Sequence, residues 1–157
     1  MNAIAAFAAA TGIGFVAGLR SLTPPAVVAW AAHLSWLNLH NTFLGVMGSW
    51  VAVTIFSLLA IGELIADKTA RIPKRTDAVP LLARILTGGL CGACLSLSAN
   101  HSPAIGALLG AIGAVIGAFA GYEIRRRLVT NLKIRDLFIA VPEDLIAVGL
   151  AIFLVSR

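Results

Sequence analysis

Glu63 and Asp67 stand four residues apart at the end of an apolar run. That spacing puts both carboxylates on one face of a helix, where they either coordinate a cation or answer a basic partner. Arg20 and Arg84 lie at the edges of apolar runs of their own and are the candidate partners. Glu123 and Asp144 are the further acids that join this cluster. Ionisable groups are costly in an apolar medium, so Arg20, Glu63, Asp67, Arg84, Glu123 and Asp144 are the candidate lining of a substrate or ion path. The blander reading of the same residues is static pairing that fixes helix ends, with long side chains reaching toward water. Cys91 and Cys94 form a C-x-x-C, but residues 88–98 around them are small and apolar. The pair therefore reads as helix packing rather than redox or zinc chemistry. His33, His40 and His101 show no ligand spacing with them, so no metal and no cofactor are expected. No G-x-S-x-G, H-E-x-x-H or P-loop pattern occurs, and no catalytic residue is assigned.

The elements that position these groups are helices in an apolar solvent. Of 157 residues, 59% are hydrophobic and only 12% charged, against roughly 25% charge in a soluble domain. Mean hydropathy is +0.95. Too little polar surface is available for a soluble fold, and disorder and a nucleic-acid module are excluded with it. Six apolar segments follow one another, at about 3–19, 25–39, 50–66, 80–98, 103–122 and 137–155. Thr23 is the expected cap of the second, which Pro24 and Pro25 open. The sixth is interrupted by Pro142, Glu143 and Asp144. The reading is an all-α polytopic bundle with six spans, or four to five spans plus a re-entrant Pro-led segment, the second segment being short for a crossing.

Charge sets the expected orientation. Arg20, then Lys68, Arg71, Lys74 and Arg75, then Arg125, Arg126, Arg127, Lys133 and Arg135 fall in alternate connections. With six spans all ten lie on one side, which puts both termini on the non-cytoplasmic side. The first ten residues lack the basic start of a signal peptide, so the first segment reads as a retained span. Trp36 and Trp50 bracket residues 38–49 and suit an aromatic belt at the other face.

One domain covers 1–157. Ala78-Val79-Pro80 and Ala140-Val141-Pro142 look alike, and Glu63 with its basic tail echoes Glu123 with its own. This suggests an inverted three-plus-three repeat with halves 1–76 and 77–157, although shared composition accounts for the likeness too. Gly106, Gly110, Gly113, Gly117 and Gly121 fall near one helix face, and Gly14 with Gly18 gives a shorter stripe. Such small residues let spans approach closely, in the bundle centre or at a homodimer seam.

The run Gly62-Glu63-Leu64-Ile65-Ala66-Asp67-Lys68, followed by Arg71-Ile72-Pro73, resembles the signature of a family of small bacterial membrane proteins known as domain of unknown function 4126. Gly18-Leu19-Arg20 and Pro80-Leu81-Leu82-Ala83-Arg84 are similar to further parts of that family. The resemblance implies a bacterial inner-membrane protein and brings no activity with it.

The first functional expectation is a small transporter or channel for an ion or small solute, working as a homo-oligomer, with a dimer favoured. The alternatives are a non-transporting structural or lipid-interacting protein, its basic connections meeting anionic headgroups, and, less favoured, a lipid-modifying enzyme. An alkaline-phosphatase fusion after the last residue should be active and a green-fluorescent fusion there dark. The opposite result contradicts the orientation drawn from charge.

Overall fold

A computed structural model describes residues 2–66, 77–132 and 136–156. Its helices are α1 (Ala3–Leu19), α2 (Thr23–His33), α3 (Trp50–Ala66), α4 (Ala78–Ser98), α5 (Pro103–Leu132) and α6 (Asp136–Val155), with a short 3-10 helix, Phe43–Gly48, between α2 and α3. Among the described residues there is no strand.

Local chemistry sets most of these ends. The Asn2 side chain accepts the Ala5 N–H at 2.8 Å and starts α1. Continuing α1 through Pro24 would delete a backbone hydrogen bond and drive the ring against the carbonyl of Arg20. The chain instead turns extended at Arg20 and restarts at Thr23. Thr23 is thus the first helical residue rather than the cap, and Pro24 and Pro25 fill the first turn. α2 also stops short of the expected residue 39. Ser35 adopts a left-handed φ of 61°, and the N–H groups of Trp36 and Leu37 both return to the Ala31 carbonyl. α5 continues past Tyr122 to Leu132, since Glu123 to Leu132 contains no proline or glycine to end it. α6 runs unbroken through Pro142, so Glu143 and Asp144 lie inside a helix instead of capping one. A proline inside an apolar bundle costs one rung of the ladder without water competing for the rest.

Contacts fix the helix directions. Gly14 meets Gly110 while Gly18 meets Ala114 and Ala118, so α1 and α5 run parallel. Gly88 meets Gly110 while Gly92 meets Gly106, so α4 runs antiparallel to α5. Leu22 and Trp30 bond Glu63 and Ser57, so α2 and α3 are antiparallel. Arg20 reaches Asp144 and Gly12 meets Leu154, so α6 opposes α1. α2 folds back on the bundle, its Val28, Ala29, Ala31 and Ala32 sharing one buried cluster with Cys91, Cys94 and Leu95 of α4. Arg20, Glu63, Arg84, Asp144 and the Glu123–Arg127 stretch therefore gather at one end. The α2–α3 connection and the α4–α5 turn lie at the other, where Phe7 of α1 packs on His101.

α1, α4 and α5 form the tight centre, drawing one helix from residues 1–76 and two from 77–157. A Cβ on Gly14 would overlap the Gly110 carbonyl, one on Gly113 the Thr11 carbonyl, one on Gly117 the Phe15 carbonyl, and one on Gly106 the Gly92 carbonyl. Gly110 faces Gly88 in the same way, Gly18 faces Ala114, and Gly121 is buried. The large apolar side chains point the other way. Ile55, Leu58 and Ile61 of α3, Leu82 and Leu86 of α4, Leu108 and Ile116 of α5, and Leu145 and Phe153 of α6 are exposed, around a core rich in Ala, Gly and Cys. Small residues inside and large apolar ones outside is the distribution that lipid, not water, permits.

Among the described residues two helices, α4 and α5, are by length and composition long and apolar enough to cross a membrane on their own, against the six segments expected. α1 and α3 are apolar but reach only 17 residues, about 25 Å at 1.5 Å per residue. Gly113→Leu should abolish folded protein in detergent, and Gly14→Ala should lower stability by about 1–3 kcal/mol through forced helix separation. Gly62→Ala, with nothing within 4 Å of the added methyl, should be neutral or stabilising by up to about 1 kcal/mol. Thermal melts of the three variants check this.

Candidate functional site

The connection between α1 and α2 is only Arg20, Ser21 and Leu22. Ending one helix and starting another leaves carbonyls and N–H groups without intrahelical partners. Water would normally meet them, but Arg20, Pro24 and Pro25 are almost completely buried. The partners come from other helices. Arg84 of α4, 8% exposed, donates Nη1–H to the Gly18 carbonyl at 2.6 Å, near the C-terminus of α1. The Glu63 carboxylate of α3 accepts the Ser21 N–H at 2.9 Å, the Leu22 N–H at 2.9 Å and the Ser21 hydroxyl at 2.6 Å. Pro24 and Pro25 remove two further donors by having none.

Arg20 itself points into the bundle at 2% exposure and forms an ion pair with Asp144 of α6. Its Nε donates to Oδ1 at 2.5 Å, and Nη2 approaches the same oxygen. Charge-assisted bonds of this kind are roughly twice as strong as neutral ones. The dipoles agree with the charges. The carboxylate sits at the positive start of α2 and the Arg84 guanidinium at the negative end of α1.

The break therefore gathers Arg20 of the connection with Glu63, Arg84 and Asp144 of three helices. Glu63, expected opposite Arg20 or Arg84, accepts its hydrogen bonds from Ser21 and Leu22 before α2. Asp67 lies outside the described residues. Glu123 is apart from the group, paired on its own helix with Arg126 and Arg127, while Arg125 approaches Glu143 of α6 at 3.9 Å. Sequence reasoning missed Ser21, whose hydroxyl and N–H both hold Glu63. Its signal was a short polar residue between a buried arginine and a Pro-Pro helix start. Cys91 and Cys94 are free thiols buried on α4. Among the described residues no group of three or more His, Cys, Asp or Glu side chains is placed to hold a metal.

The fold and the break define an all-helical bundle with an apolar exterior, its ionisable side chains joined at a helix discontinuity. The chain belongs to the family described as a domain of unknown function (DUF4126), whose model matches residues 7–156. No curated protein and no solved structure matches it.

Truncating one partner of a buried pair leaves the other charge uncompensated. Asp144→Ala should therefore destabilise by about 3–5 kcal/mol, whereas the double change Arg20→Leu with Asp144→Leu should recover most of that loss. Equal destabilisation of the single and double variants in chemical denaturation would refute the pair.

Proposed function

We propose that the chain is a six-span protein of a bacterial inner membrane that acts through its lipid-facing surfaces, as a non-transporting, lipid-interacting membrane protein. One observation carries this reading: Arg20, Glu63, Arg84 and Asp144 bond the chain's own backbone and each other. Side chains committed in this way build a helix break. The exposed apolar flanks of α3, α4, α5 and α6 suit acyl chains. Arg126 and Arg127, 62% and 72% exposed on the last turns of α5, suit anionic headgroups on the cytoplasmic side. Short α1 and α3 suit tilted neighbours or a locally thinned bilayer. Both termini are then non-cytoplasmic.

A second reading, a small transporter or channel, is favoured by a different observation. A helix break with ionisable groups among apolar helices is the device from which transporters build midplane sites. In this reading Glu63 leaves the start of α2 to admit an anion or a proton, and a second copy in a homodimer supplies more wall. No enzymatic activity is proposed.

The test separates the two. In nanodiscs containing phosphatidylglycerol the melting temperature should rise by at least about 2 °C over phosphatidylcholine. The rise should shrink in the Arg126→Gln, Arg127→Gln double variant. Proteoliposomes should show no ion or small-anion flux above empty vesicles. Flux that Glu63→Gln abolishes, with the fold intact, would overturn the proposal and establish the transport reading.

A further inference from the structure

The end of the bundle opposite the charges carries a second set of chemistry-bearing side chains. His33, the last residue of α2, places Nδ1 2.9 Å from the Gly48 carbonyl oxygen. A carbonyl only accepts, so Nδ1 carries the proton of this bond and neutral His33 keeps its lone pair on Nε2. An imidazole tied by one nitrogen to a backbone carbonyl is oriented as metal-binding histidines are.

His40 lines the same cavity, about 360 Å³, together with Ala32, Leu39, Gly45, Gly48 and Ser49. The connection brings it there for local reasons. Leu37 and Leu39 are buried anchors on either side of an exposed Asn38, and His40 follows on the rim. Asn41 then takes a left-handed φ of 60°, and the Thr42 hydroxyl donates to the Leu39 carbonyl at 2.6 Å. Gly45 passes so close that a Cβ would lie 2.9 Å from that carbonyl. Residues 21–62 contain no Lys, Arg, Asp or Glu, so these segments bring no cationic side chain to repel a bound cation.

We infer that this cavity binds one divalent transition-metal ion through His33 and His40. Two neutral imidazoles, with water as the further donor, suit Cu²⁺, Ni²⁺ or Zn²⁺ and not Mg²⁺ or Ca²⁺. The spacing of seven residues across a connection matches no metal motif, and only the fold brings both residues to one cavity.

Trp50 supplies the readout, its ring centroid lying 4.3 Å from that of His33, with Trp30 at 6.2 Å. Untagged full-length protein in phosphatidylcholine nanodiscs is titrated with Cu²⁺ while tryptophan fluorescence is followed. Saturable quenching at one ion per chain is expected, reversed by EDTA and undisturbed by Mg²⁺. His40→Gln and His33→Gln should each weaken it at least about tenfold, and His101→Gln should leave it unchanged. His40 is exposed, so His40→Gln retains the fold and decides the matter. Quenching that never saturates, or a midpoint unmoved by His40→Gln, overturns the site.

Discussion

A helix that ends inside an apolar bundle leaves polar backbone groups that neither lipid nor packed side chains can satisfy, and the cost is several kcal/mol per group. The prolines at 24 and 25 impose such an end on this chain. The charged residues around it are best understood as the answer. Arg84 takes a carbonyl of α1, Glu63 takes two N–H groups before α2, and Asp144 takes the guanidinium of the connecting residue. Each comes from a different helix, so satisfying three residues of backbone also fixes the relative positions of α1, α3, α4 and α6.

The second constraint is distance. Carbonyl-to-glycine contacts bring α1 and α5, and α4 and α5, as near as backbones can come. In an apolar solvent such packing substitutes for the hydrophobic drive that joins helices in water. It also leaves the interior to small side chains and turns Ile, Leu and Phe outward. The two constraints reinforce each other, because Gly18 both packs on Ala114 and offers its carbonyl to Arg84.

Much of this was legible in the residues. The bounds of α1 and α3 match the apolar runs, and the glycine spacing of α5 marked its packed face. The failures have physical causes. The end of α2 depends on a left-handed Ser35 and a shared Ala31 carbonyl, which leave no periodic trace. α5 outlasts its apolar stretch because arginines form helix as well as leucines do. Pro142 reads as an interruption, yet α6 runs through it, because an apolar bundle tolerates a proline that breaks one rung of the ladder. The ionisable residues stand out by their cost, but Glu63 and Arg84 bond backbone groups, and no side-chain spacing encodes those. The same holds for His33, whose partner is the Gly48 carbonyl.

The role of Glu63 as the cap of a buried helix start is tested most directly by amide hydrogen exchange of Ser21 and Leu22 in lipid nanodiscs. Both amides should be strongly protected in the native chain and exchange about a hundredfold faster in Glu63→Ala, with α4 and α5 unaffected. Fast exchange in the native chain, or protection that survives the loss of the carboxylate, would contradict it.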